Sequence, residues 1–333
     1  MGKQEKSEHR IFSGIQPTGG LHLGNYLGAL KNWARLQYQH DSIFCIVDLH
    51  AITVPYEAET MQELILDAAA MNLACGLDPE VAIIFVQSHV REHAELCWLL
   101  TTMTSVGRLS RMTQFKEKSA RLEREHINAG LFNYPILQAA DILLYKADLV
   151  PVGEDQEQHL ELARDIAGKF NITFGETFPL PAIALSSAPR VMSLADPTAK
   201  MSKSVAGSAI GLADDPSVVH KAIMRAVTDV GPLPDGQMGP GIANLFTLLK
   251  EFSSPEVVKS FQEAYEAGQL RYAELKKQLA EDTVAGLTPI REKYNDLVAH
   301  PNKIKEILQN GADRARAIAE KTMIEVKQKM GLL

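Results

Sequence analysis

The residues best suited to chemistry fall in two short stretches, about 180 residues apart in a chain of 333. The first is Gln16-Pro17-Thr18-Gly19-Gly20-Leu21-His22-Leu23-Gly24-Asn25. It reads as a glycine-rich turn that follows a short apolar run, Ile11-Phe12, and opens a helix. Such a turn brings backbone N–H groups and the positive end of a helix dipole up to a phosphate. His22 and Asn25, three apart, share one face of the first helical turn. The second stretch is Lys200-Met201-Ser202-Lys203-Ser204, set in a mobile-looking loop between Asp196-Pro197-Thr198 and Val205-Ala206-Gly207-Ser208. Two lysines on such a loop can close over a leaving pyrophosphate. Each stretch alone is also compatible with an ordinary strand–turn–helix connection or a solvated loop.

Those groups need a scaffold that brings distant loops to one place. Ile11–Gly14, Ile43–Val47, Val81–Val86 and Asp148–Val152 are apolar runs of strand length. They alternate with helical patterns near 25–38, 58–75 and 156–170, and helices dominate from the third run to about residue 145. Alternation of this kind predicts an open, doubly wound parallel sheet of the α/β class, Rossmann-like, with helices on both sides. Ligands in such sheets sit at the carboxyl ends of strands. Gln16, Asp48, His50, Gln87 and the segment Gly153-Glu154-Asp155-Gln156 all follow strands, so they are expected on one rim. Beyond Lys203 the pattern is helical only, over 214–228, 241–253, 255–280, 283–298 and 302–330. The expected division is a catalytic domain over 1–205 and a helical domain over 206–333, whose last helices can pack back on the first.

Composition narrows the class. Cys45, Cys75 and Cys97 have neither CxxC nor zinc-finger spacing, so no disulfide framework or metal site is expected. No apolar run nears the roughly 20 residues that span a bilayer. No signal-peptide pattern follows the polar start, and the expectation is a cytoplasmic protein without membrane attachment. A net charge of −7 is not that of a chain that coats nucleic acid. A local basic face remains possible over 108–124, with Arg108, Arg111, Lys116, Lys118, Arg121 and Arg124 against Glu117 and Glu123.

Taken together and in this order, the two stretches resemble the HIGH and KMSKS signatures of class I aminoacyl-tRNA synthetases. The segments FSGIQPTG, SRMTQFKEKSA, AADILLY, VPVGEDQ and DPT-KMSKS resemble, more narrowly, the bacterial tryptophanyl-tRNA synthetase family. That resemblance covers nearly the whole chain. It implies activation of L-tryptophan with ATP and Mg²⁺, then transfer to tRNA(Trp), by a homodimer whose helical domain reads the anticodon. Arg314 and Arg316 are candidates for that reading, with pairing to nearby acids the bland alternative. No tightly held metal is implied, because no carboxylate cage is visible.

By the same resemblance, ATP would meet Gln16, Pro17, Thr18, His22, Gly24, Asn25, Gly153, Glu154, Asp155, Val191, Lys200, Met201, Ser202, Lys203 and Ser204. Lys200, Lys203, His22, Asn25 and Lys118 would carry the catalysis, the lysines by offsetting phosphate charge. Tryptophan would meet Phe12, His50, Tyr134, Gln138, Val150, Val152, Gln156 and above all Asp141. Asp141 sits amid apolar neighbours in a helix that Pro135 is expected to begin. Indole presents one N–H donor on an apolar body, and a buried acceptor carboxylate suits it. A structural Asp satisfied by backbone or by Lys146 is the alternative. Gln138, Leu49 and Val205 depart from the family pattern. A tyrosine-specific sibling, or a non-catalytic paralogue that binds tryptophan or RNA, are the other readings open at this point.

Overall fold

The computed structural model describes residues 9–120, 123, 126–153, 156–184, 189–203, 205–228 and 237–333. Among these residues five strands form one parallel sheet in the order β3-β2-β1-β4-β5, namely β1 (Arg10–Ile15), β2 (Asp41–Ile46), β3 (Ile83–Val86), β4 (Leu149–Val150) and β5 (Ala182–Ile183). Ile11, Ile43, Phe44, Ile46, Phe85 and Val86 are fully buried, which is why β2 and β3 read as unbroken apolar runs. β1 pairs with β2 in register from Arg10↔Asp41 to Ile15↔Ile46, and with β4 at Ile11↔Leu149. The α/β class is therefore as expected. The short β5, paired at Leu149↔Ala182, went unanticipated.

The helices are α1 (Leu23–Asn25), which runs through a π-helical turn over Tyr26–Leu30 into α2 (Lys31–Leu36), then α3 (Asp48–Ala51), α4 (Ala58–Ala74), α5 (Glu92–Thr101), α6 (Val106–Leu109), α7 (Thr113–Ser119), α8 (Ala129–Leu144) and α9 (Glu157–Phe174). There follow α10 (Pro216–Arg225), α11 (Pro240–Phe252), α12 (Pro255–Glu266), α13 (Tyr272–Ala299) and α14 (Pro301–Lys329). Sequence reasoning divides 255–298 near residue 281, but α12 ends at Glu266. Gly268, at φ +68°, stops it, with Gln269 N–H donating to Ala264 O at 2.8 Å. Pro135 does not begin α8 but lies inside it. Asn128 is the N-cap, its side chain accepting from Leu131 N–H at 2.9 Å.

Two compact units emerge. One comprises Met1–Gly19, Trp33–Ser186 and His300–Leu333; the other comprises Gly20–Asn32 and Ser187–Ala299. In the first unit α14 packs on β3. Ala312, Ala315 and Ala319 are fully buried, and Gly311 lies directly on the Ile84 backbone. Arg314 donates to Pro79 O at 2.8 Å and Ala82 O at 3.3 Å, and Arg316 to His89 O at 2.9 Å. These arginines tie α14 to carbonyl groups on either side of β3, and Arg316 also pairs with Asp313 at 2.9 Å, the pairing to nearby acids named as the alternative. In the second unit α13 packs on α10 and α11. Cys45 and Cys75 are buried and Cys97 partly so, all as free thiols. No helix among the described residues is long and apolar enough to cross a membrane.

Candidate active site

The sheet unit holds a pocket of about 300 Å³ at the carboxyl ends of β1, β2 and β4. That is the lower end of the usual range for small-molecule sites. Its apolar wall is Phe12, Val47, Val150, Val152 and Ile142, and its polar lining includes Gln16, His50, Gln138, Asp141 and Gln156. Lys118 and Tyr134 complete it, with the Lys118 Nζ 4.4 Å from the centre of the Tyr134 ring. Burial lowers the Lys118 pKa, and a cation over an aromatic face suits a half-dry site. Of the strand-end residues expected on one rim, Gln16, His50 and Gln156 line this pocket, whereas Asp48, Gln87 and Gly153 do not.

Asp141 is almost wholly buried, and it is not unpartnered. Its Oδ1 accepts from Gln87 Nε2 at 2.7 Å and His93 Nδ1 at 2.6 Å; its Oδ2 accepts from His50 Nε2 at 2.8 Å. Lys146, the partner named in the alternative reading of Asp141, pairs with Glu325 instead. Burial alone would push the Asp141 carboxyl up, but hydrogen bonds and charge from His50 and His93 outweigh it and hold the group at about 2. It is a carboxylate, which accepts only, so each ring nitrogen touching it carries a hydrogen. A carboxylate offers about four lone-pair sites. Three are taken, and the one left lies on Oδ2.

Gln138 Nε2 donates to Gln156 Oε1 at 3.3 Å, so these two pocket amides hold one another. Tyr134 Oη meets His159 Nε2 at 3.0 Å. Pro17 is buried and Thr18 N–H closes a tight turn on Gln16 O at 2.9 Å. Gly153 O accepts from Gln156 N–H at 2.9 Å. Glu154, Asp155 and Ser204, as well as Arg121 and Arg124, lie outside the described residues. Arg108 is paired with Asp165, so the basic stretch is not all free charge. Sequence reasoning missed His93 and the pocket residues Ser13, Gly14, Val47 and Ile142. Tyr145, four residues after Asp141 on the same helical face, was a signal left unused.

The second unit gathers the other group. His22 caps α1 by a reciprocal pair: Gly24 N–H donates to His22 Nδ1 at 3.1 Å, and His22 N–H to Asn25 Oδ1 at 3.1 Å. The Gly24 amide is therefore consumed by the cap and not offered to a ligand. Nδ1 being an acceptor, the neutral ring carries its hydrogen on Nε2. Burial, then Lys200, then Lys203 lower the His22 pKa. The His22 segment is tied to residues 210–212 through Leu23 N–H to Ile210 O and Leu212 N–H to Leu21 O, both 2.9 Å.

The lysine stretch is built, not loose. Val191–Met201 forms a hairpin, with Ser193 N–H to Ala199 O at 2.9 Å and Met201 N–H to Val191 O at 3.2 Å. Its bend is fixed by Asp196 Oδ1, which accepts from Thr198 Oγ1 at 2.6 Å. Asn244, on α11, accepts from Met192 N–H and donates to Met192 O, each at 3.0 Å. Ser202 N–H donates to Ser208 Oγ at 3.1 Å. Val191 and Met201 are buried while Lys200 and Lys203 are exposed, and neither lysine pairs with a carboxylate among the described residues. The Lys203 ammonium lies against Gly20. No group of His, Cys, Asp or Glu among the described residues could hold a metal.

Residues 3–288 match the family described as tRNA synthetases class I (W and Y). The chain is 48 % identical over 329 residues to a tryptophan–tRNA ligase of Caldanaerobacter subterraneus, spanning 97 % of this chain and 98 % of that one. It is 46 % identical to a tryptophan–tRNA ligase of Helicobacter pylori, over 97 % and 99 % of the two chains. Among solved structures it resembles the tryptophanyl-tRNA synthetase of Campylobacter jejuni, complexed with ADP and tryptophan, at TM-score 0.85 and 38 % identity, over 97 % of this chain and 100 % of that one. The chain belongs to the class I aminoacyl-tRNA synthetases of the tryptophan and tyrosine family.

Proposed function

We infer that this chain ligates L-tryptophan to tRNA(Trp). The tryptophan carboxylate attacks the α-phosphate of ATP in line, tryptophanyl-adenylate forms, and pyrophosphate leaves. The tryptophanyl group then passes to the 3′-terminal ribose of the tRNA. Relatives named tryptophan–tRNA ligases, at 46–48 % identity over nearly full length, support the reaction. The observation that carries the substrate is Asp141, a buried carboxylate with one acceptor site left, lining a pocket whose walls are Phe12, Val150 and Val152. A neutral indole with one N–H fits that end. A ligand without the donor would leave a desolvated charge partly unmatched, which costs affinity heavily.

Displacement at phosphorus asks the protein for positioning and charge neutralisation more than for covalent chemistry. Lys200 and Lys203 offset charge building on the β- and γ-phosphates, and Lys118 adds a third cation. His22 donates from Nε2, and Asn25 holds His22 in place. Gln16, Pro17, Thr18, Gly24, Val191, Met201, Ser202 and Gly153 contact the nucleotide in this reading, as Glu154, Asp155 and Ser204 do by motif. Mg²⁺ enters with ATP, held by phosphates and water. We also propose a cytoplasmic homodimer; the exposed Trp98 (67 %) and Val106 (70 %) of α5 and α6 support an apolar contact surface.

The test is exchange of labelled pyrophosphate into ATP with each of the twenty amino acids in turn. Tryptophan alone should support it. Exchange driven by tyrosine, or by none, would overturn the assignment.

A further inference from the structure

The partners of Asp141 are not arranged evenly around it. Gln87 and His93 both donate to Oδ1, and neither lines the pocket. His50, the one donor to Oδ2, does line it. Oδ1 thus accepts two bonds from residues outside the pocket lining, and Oδ2 accepts one, from a residue within it. Behind His93 stands Tyr145, whose Oη is 2.8 Å from His93 Nε2. His93 and Tyr145 are both fully buried. His93 Nδ1–H is committed to Asp141, and His93 Nε2 meets the Tyr145 hydroxyl. Burial pushes the Tyr145 pKa up, which keeps that hydroxyl protonated. Three aromatic contacts hold the pair: Tyr145 on Phe12 at 5.5 Å and on Phe85 at 5.8 Å, and His93 on Phe85 at 5.7 Å.

We propose that His93 and Tyr145 are positioning residues for amino-acid selection. The chain from Tyr145 Oη to His93 Nε2, then His93 Nδ1–H to Asp141 Oδ1, fixes the carboxylate so that the open lone pair on Oδ2 meets the indole N–H. This rests on Asp141 being the indole acceptor. A charge kept merely for stability gains little here, because a buried ionic group is usually no better than an apolar replacement. What the arrangement does supply is a single acceptor direction. His50, Gln87 and His93 all commit a donor to the carboxylate.

The test compares tryptophan with β-(3-benzothienyl)alanine, which replaces the indole N–H with sulfur and keeps the shape. Tyr145→Phe keeps the aromatic packing and removes only the hydroxyl. It should lower kcat/KM for tryptophan about fivefold, the effect of one neutral hydrogen bond, and leave the analogue changed less than about twofold. His93→Leu should cost tryptophan about tenfold or more, since a charge-assisted bond is lost. His93→Asn, which retains a donor near Nδ1, should recover part of it. KM for ATP should stay put in all three. Equal losses for both substrates would make the pair simple core packing and overturn the proposal, as would no loss for tryptophan in Tyr145→Phe. If the unmodified enzyme used both substrates equally well, Asp141 itself would not read the indole nitrogen, and that separate outcome would remove both assignments.

Discussion

Gly20 offers a way to move the Lys203 charge without deleting it. It has φ +34°, and a methyl group built there would collide with the Lys203 ammonium and come within 3.1 Å of Lys203 Cε. The obstacle is the far end of a flexible side chain, so in Gly20→Ala the lysine swings away and the fold survives. The backbone penalty for an L side chain at positive φ is about 1 kcal/mol, a melting shift of a few degrees at most. The effect on chemistry is larger. Displacing a unit charge from about 4 Å to about 7 Å from a phosphate, at an effective dielectric constant near 20, forfeits roughly 2 kcal/mol. That is about twentyfold in the rate of adenylate formation. Rapid-quench measurement at saturating tryptophan and ATP reads it directly. The decisive comparison is a double-mutant cycle with Lys203→Ala. If Gly20 acts by leaving room for Lys203, then Gly20→Ala costs the chemical step almost nothing once the lysine is gone. The same loss in both backgrounds, or no loss in either, would refute the reasoning.

Three further outcomes follow from the geometry. Asp141 has a folded-state pKa near 2, below its unfolded value of 3.8, so its stabilisation is present above pH 3.8 and is lost as the pH falls toward 2; the linkage is worth roughly 2 kcal/mol. Urea unfolding of Asp141→Asn between pH 4 and pH 2 should lose that slope, and an unchanged slope would contradict it. Gly311→Ala places a methyl group on the Ile84 carbonyl, which is backbone and cannot step aside; unfolding in denaturant should show a loss of about 2–3 kcal/mol, and an unshifted midpoint would mean that α14 does not sit tightly on β3. His22 has a pKa lowered by burial and by Lys200 and Lys203. Its neutral form is the one the fold favours, so its contribution is full above the unfolded value of 6.5 and is lost as the pH drops through the lower folded value. An NMR titration of the His22 ring should give a midpoint below 6.5 that climbs in Lys200→Gln; a midpoint that ignores the lysine would count against the coupling.

Local chemistry was legible in the sequence where it depends on neighbours in the chain. β1 to β4 announced themselves because parallel strands buried on both faces must be apolar throughout. The lysine hairpin and the His22 cap use residues within ten positions of each other, and their types disclose their roles. Gly268 was equally visible as a helix stop, and only the choice of break was misplaced. Pro135 misled because proline favours a helix start, while Asn128, which truly caps α8, is an unremarkable residue until its bond to Leu131 is seen.

Long-range partners were not legible, and the reason is physical: nothing in a periodic pattern says which faces meet. His93 reads as a lone histidine in an apolar helix; only the crossing of α5 and α8 sets it against Asp141, 48 residues on. The small residues Gly311, Ala312, Ala315 and Ala319 foretell close packing of α14 but not that β3 is the partner. The grouping of residues 20–32 was hidden for the same cause. Residues 20–32 follow β1 directly in the chain, yet their backbone bonds go to 210–212, and the compact unit follows the hydrogen bonds. His22 and the lysine hairpin thereby share one unit, while the pocket around Asp141 lies in the other. On the proposed reading, selection of the side chain and handling of the phosphates are built on different units. Changes confined to Tyr145, His93 and Asp141 should alter which amino acid is used, and changes at Gly20 and Lys203 should alter how fast the adenylate forms. A variant of either set that moved both quantities equally would deny that division.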